Sequence, residues 1–97
     1  MPKDKAIIKG FNNAGKIVYN QEMPILEYYE NEHPWDKSEN ILKMGIVKIT
    51  GTLYSDAGNI SQEFETAFDE KTGKYVGSIG KLADGKIMKD GIYQDTN

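Results

Sequence analysis

Residues 45–69 read GIVKITGTLYSDAGNISQEFETAFD, and their alternation decides the fold. Ile60, Gln62, Phe64, Thr66 and Phe68 fall on one side of an extended chain, and Ser61, Glu63, Glu65, Ala67 and Asp69 on the other. That spacing predicts a half-buried strand with an acidic outer face. The preceding run carries Ile46, Val47, Ile49, Thr50 and Thr52, β-branched residues that suit a pleated surface. Between them Ser55-Asp56-Ala57-Gly58 supplies a turn, with glycine where a positive φ is needed. The stretch is predicted to form an antiparallel hairpin.

The pattern continues downstream. Residues 69–73 form a turn leading into a strand over 74–82, and 83–86 a turn leading into a strand over 86–93. Neighbours joined this tightly can only be antiparallel. A four-strand antiparallel meander over 45–93 is therefore expected, with Gly77 and Gly80 weakening its third strand and bending the sheet toward a half-open barrel.

Upstream, Gly10 to Lys16 (GFNNAGK) has the glycine and lysine spacing of a phosphate-binding loop. A working loop needs Ser or Thr after the lysine and then a helix. Here Ile17 and Val18 follow, and they open a strand. Asn12-Asn13-Ala14-Gly15 is instead the turn of an N-terminal β-hairpin, because Asn and Gly tolerate left-handed backbone geometry. The echo of this turn at Ala57-Gly58 and Asp84-Gly85 reflects shared turn chemistry.

Residues 24–44 lack alternation. Pro24 suits a first helical position, and Ile25, Leu26 and Tyr29 share a helical face, predicting a short helix to Asn31 that buries Tyr29 and leaves Tyr28, and His33 beyond it, exposed. A second helix is expected to start at Asp36, paired with Glu39 as a capping box, and to stop at Gly45. His33-Pro34 separates the two.

Composition narrows the function. The 97 residues fit one domain, 1–97, with 1–4 and 94–97 expected as frayed ends. The absence of cysteine excludes disulfides and thiolate metal sites. No apolar run has the length of a signal-peptide core or a membrane span, so a cytoplasmic location without membrane partners is expected. Twelve basic residues, all lysine, stand against fifteen acids. Without arginine, the residue that forks onto phosphates and guanine edges, sequence-specific nucleic-acid reading is disfavoured.

The single histidine, His33, lies among Glu30, Glu32 and Asp36, but one imidazole is too few for a zinc or iron site and a poor basis for a nucleophilic triad. Glu63 and Glu65 are same-face neighbours on one strand, an arrangement that does not flank a sugar from two walls. Neither catalysis nor a cofactor is expected.

The reading is an α+β domain: an N-terminal β-hairpin, a short helical excursion, then the four-strand meander curling into a small half-open barrel. Its expected function is non-enzymatic: a regulator or inhibitor that docks on a protein with a basic surface, as small acidic phage and mobile-element accessory proteins do. An anti-CRISPR-like inhibitor whose acidic face mimics nucleic acid is one instance. The expected partner surface comprises Glu27, Tyr28, Glu30, Glu32, His33 and Trp35, with Glu63, Glu65, Asp69 and Glu70. Trp and Tyr contribute large rigid area, and spaced carboxylates steer a basic partner. The alternative is a β-barrel-like single-stranded RNA or DNA binder that stacks bases on Tyr54, Tyr75 and Tyr93. Open sheet edges would also permit a homodimer.

Overall fold

The computed structural model describes residues 4–89 and 92–94. In chain order it comprises β1 (Lys5–Phe11), β2 (Ile17–Met23), α1 (Ile25–Glu30), a 3-10 turn (Pro34–Asp36), α2 (Ser38–Met44), β3 (Lys48–Tyr54), β4 (Ile60–Phe68), β5 (Tyr75–Leu82), β6 (Ile87–Lys89) and β7 (Ile92–Gln94). The expectation for the termini falls mainly on residues outside the described range.

The strands form one antiparallel sheet in the order β2-β1-β3-β4-β5-β6-β7. The architecture is α+β, with a meander running from β3 onward. The sheet is open: β2 and β7 are its edges, and it does not close into a barrel. The strand expected over 86–93 is two short ones, β6 and β7, paired Met88 with Tyr93.

β1 is paired on both sides, with β2 and with β3. Both partners are antiparallel to β1, so β2 and β3 run parallel to each other with β1 between them. Parallel strands need a crossover of a dozen or more residues, usually helical. The excursion between Met23 and Lys48 is that crossover, and it must pass over one face of β1.

That face holds the core. Ala6 and Ile8 of β1, Met23 at the end of β2, Ile49 and Leu53 of β3, Ile41 of α2 and Ile46 are buried together. Helix α2 ends at Gly45, whose φ of 70° lets Ile46 N–H return to the Ile41 carbonyl at 3.0 Å and swing the Ile46 side chain inward. The sequence placed this stop correctly. The helix begins at Ser38 rather than Asp36, because Asp36 is used by the preceding 3-10 turn.

The N-terminal turn is the hairpin turn the sequence predicts. Asn12 Oδ1 accepts the N–H groups of Ala14 at 3.0 Å and Lys16 at 2.9 Å, so the amides a phosphate would need are already committed. A register shift between Ala67 and Phe68 pairs Ala67 with Gly77 and Phe68 with Tyr75, leaving Val76 as the extra residue of a bulge beside Gly77. Among the described residues, no helix is long and apolar enough to cross a membrane.

Candidate functional site: an aromatic hollow beside the crossover

The crossover covers β1 and β3 and leaves the inner side of β4 and β5 half covered. Register identifies that side: Ile49, Gly51 and Leu53 oppose Thr66, Phe64 and Gln62, which in turn oppose Ser78, Gly80 and Leu82. Phe64 thus lies between two buried glycines, Gly51 and Gly80.

Helix α1 carries two apolar stripes, Ile25 with Tyr28 and Leu26 with Tyr29. The first turns inward: Ile25 and Tyr28 pack against the core, whereas Leu26 and Tyr29 are each 65 % exposed. This reverses the expectation for Tyr28 and Tyr29. The stripes are equally spaced, and the choice follows from where the chain leaves β2 with Met23 already buried. The Tyr28 ring stands 6.0 Å from that of Phe64. Burial, with smaller contributions from Tyr29 and Asp36, pushes its phenol up to about 12, so it stays neutral at ordinary pH.

His33 is half-buried, not exposed as expected. Its ring stacks on Trp35 with centroids 4.2 Å apart and planes 7° from parallel. Its Nε2 lies 2.9 Å from the Tyr28 carbonyl, which can only accept, so the imidazole donates there. Its backbone N–H donates to Asp36 Oδ2 at 2.7 Å. Trp35 meets Tyr19 edge-on at 5.7 Å. His33 and Asp36 therefore brace the crossover internally, and Trp35 fastens it to the sheet through Tyr19.

Between crossover and sheet lies a hollow of 250 Å³ lined by Tyr28, Trp35, Phe64 and Phe68, with Gln62, Thr66 and Ser78 among its polar groups. Of the partner-surface candidates, Tyr28 and Trp35 line it, Tyr28 from the inward side of α1. The others are not among its lining residues. Phe64, Phe68, Gln62, Thr66 and Ser78 were not foreseen, although the alternation of β4 already assigned its four to the inner side; what was missing was the knowledge that this side is left partly open.

The acidic candidates do not form one surface. Glu63 and Glu65 project from the outer side, where Glu63 is paired in register with Lys81 and the Glu65 carboxylate lies 3.7 Å from Lys48 Nζ. Each is flanked by a lysine on a neighbouring strand, so the face is mixed in charge. A second, open hollow of 360 Å³ on that side is lined by both carboxylates, Lys81, Thr50 and Thr52. Glu70 accepts from Asn13 Nδ2 through both oxygens, at 3.0 and 3.1 Å, tying the first hairpin turn to the β4–β5 turn. Glu27, Glu30 and Glu32 are exposed on the crossover, at the other side of the sheet from Glu63 and Glu65.

Asp69 organises its own turn. Its Oδ1 accepts the N–H groups of Lys71 at 2.8 Å and Thr72 at 3.0 Å, which hold the carboxyl below its ordinary value of 3.8. A depressed folded-state pKa contributes stability above the ordinary value that is lost as pH falls through the folded one. Asp69→Asn is therefore expected to be less stable than the parent at neutral pH, with the gap narrowing as acidification passes below the ordinary carboxyl value and on through the lower folded one. Urea melts at several pH values check this; a gap that stays constant with pH contradicts it.

Of the tyrosines proposed for base stacking, Tyr54 lies under the Lys5 ammonium at 5.5 Å, and Tyr75 donates its hydroxyl to Ser78 Oγ at 3.1 Å on the inner side. The side chain of Tyr93 lies outside the described residues. Among the described residues, no cluster of three or more His, Cys, Asp or Glu could hold a metal ion. No family model matches the chain, and neither a curated protein nor a solved structure does.

Proposed function

We propose that this chain is a non-enzymatic protein-binding module, acting in the cytoplasm as a regulator or inhibitor, and that its partner docks along the half-covered inner side of β4 and β5. The observation that carries this is the aromatic hollow itself. Tyr28, Trp35, Phe64 and Phe68 present rigid aromatic area at one place, with Gln62, Thr66 and Ser78 beside them for hydrogen bonds. Soluble domains that leave such side chains partly open do so most often at interfaces. One wall is the crossover, whose residues 27–36 carry Glu27, Glu30, Glu32 and Asp36 and no lysine. Its negative field would steer a partner with a basic surface and make association weaken with salt.

Compensation of Glu63 and Glu65 by lysines moves the acidic contribution from the strand to the crossover. Two variants separate the surfaces. Thr66→Arg fills the hollow with a bulky charge, whereas Glu63→Lys with Glu65→Lys alters only the outer side. Affinity capture from the native host should recover a basic protein with the parent and the outer-side variant, and lose it at least ten-fold with Thr66→Arg. Equal recovery with Thr66→Arg, or loss only with the outer-side variant, would overturn the assignment.

A further inference from the structure

We propose that the hollow takes a single cationic side chain of the docked protein, a lysine or an arginine; this rests on the docking reading above and names what enters. Size is the first argument. Pockets for drug-sized ligands and cofactors run from about 300 to 1,000 Å³. At 250 Å³ the hollow falls below that range and suits one long side chain.

Its walls choose the charge. The rings of Tyr28, Trp35, Phe64 and Phe68 line it, and the face of an aromatic ring is the negative end of its quadrupole. Oxygens of Gln62 and Thr66 can accept from an ammonium or guanidinium. Among the described residues that line the hollow, none carries a charge, so the chain supplies no cation of its own there. The Asp36 carboxylate is held by the His33 N–H at 2.7 Å, and the His33 ring stacks on Trp35, which puts negative charge near the same rings. The stacked His33 ring backs Trp35 at 4.2 Å and holds the indole in place.

Trp35 is the chain's one tryptophan, so its fluorescence reports on the hollow directly. The intact chain would be titrated with N-acetyl-lysine amide, N-acetyl-arginine amide and tetramethylammonium, and with neutral N-acetyl-norleucine amide, at matched ionic strength. The expected result is a saturable change in Trp35 emission with the cationic probes and at least ten-fold weaker binding of the norleucine probe. Thr66→Lys should abolish the response by placing an ammonium in the hollow, and Thr66→Glu should strengthen it at least three-fold. The opposed signs hold the test open should one variant fold poorly.

Absence of saturation, or equal binding of the norleucine probe, overturns the cationic assignment and makes the hollow an apolar slot. Loss of partner capture by Thr66→Arg without any probe binding leaves docking standing and removes the cation. Probe binding with capture indifferent to Thr66→Arg removes the docking reading and, with it, the partner's side chain as occupant.

Discussion

Gly51→Ala is expected to destabilise the chain by about 3 kcal/mol, the upper part of the range for forcing a methyl into a packed site. A Cβ built on Gly51 would overlap the Phe64 ring, meeting its Cζ and Cε1 atoms and lying 2.9 Å from Cδ1. Because the ring lines the hollow, it can yield only by leaving its place between Gly51 and Gly80 and giving up its 6.0 Å contact with Tyr28. In a strand without that ring, the same substitution would stabilise by roughly 0.5–1 kcal/mol, since glycine loses more backbone freedom on folding. The sign itself is therefore diagnostic. For a domain of this size the loss corresponds to a fall in Tm of roughly 12–24 °C. In a Phe64→Ala background, Gly51→Ala should become neutral or mildly stabilising, a coupling that a double-mutant cycle measures. Additive effects would mean that the ring does not rest on Gly51. Since Phe64 lines the hollow, Gly51→Ala should also blunt the Trp35 response to cationic probes.

This pairing shows where sequence reading reaches and where it stops. Alternation in β4 correctly put Phe64 and Phe68 inside and Glu63 and Glu65 outside, because a strand's period is a local property. What each residue faces depends on register with a distant strand. That Glu63 opposes Lys81, and that the Glu65 carboxylate reaches Lys48, cannot be seen in β4 alone. A run of acids therefore read as an acidic face, although the neighbouring strands make it mixed.

The same division explains the crossover. Turn residues at 12–15 and 55–58 and the stop at Gly45 were legible, since each is fixed by a few adjacent side chains and one backbone angle. The orientation of α1 was not. Ile25 with Tyr28 and Leu26 with Tyr29 offer stripes of equal spacing, and where the chain leaves β2, with Met23 buried, decides which one meets the sheet. With Tyr28 inward, the crossover became one wall of a hollow instead of an exposed aromatic patch. The open sheet has the same origin: Gly77 sits beside a bulge and Gly80 is paired with Phe64, and neither brings β7 round to β2.

Gly73→Ala is expected to cost about as much as Gly51→Ala, roughly 2–5 kcal/mol, from two sources that can be separated. Gly73 has a φ of +70°, a conformation that costs an L-residue about 1–2 kcal/mol. A Cβ there would also press into the Ser38 carbonyl oxygen and approach Leu42 N at 3.2 Å. Both are backbone atoms of α2, which cannot rotate aside, so the overlap adds about 1–3 kcal/mol. Gly58 provides the control: its φ is +85° and nothing lies within 4 Å of a Cβ built on it. Gly58→Ala should therefore carry only the backbone cost. The excess of Gly73→Ala over Gly58→Ala in urea melts measures how firmly the β4–β5 turn is pressed on α2. Equal losses would mean that the turn and the helix are independent. A large excess means that the turn holds α2 against the sheet, and with it the adjoining 3-10 turn that carries Trp35. In that case Gly73→Ala should also weaken the Trp35 response to cationic probes, while Gly58→Ala, at the far turn of the hairpin, leaves it unchanged.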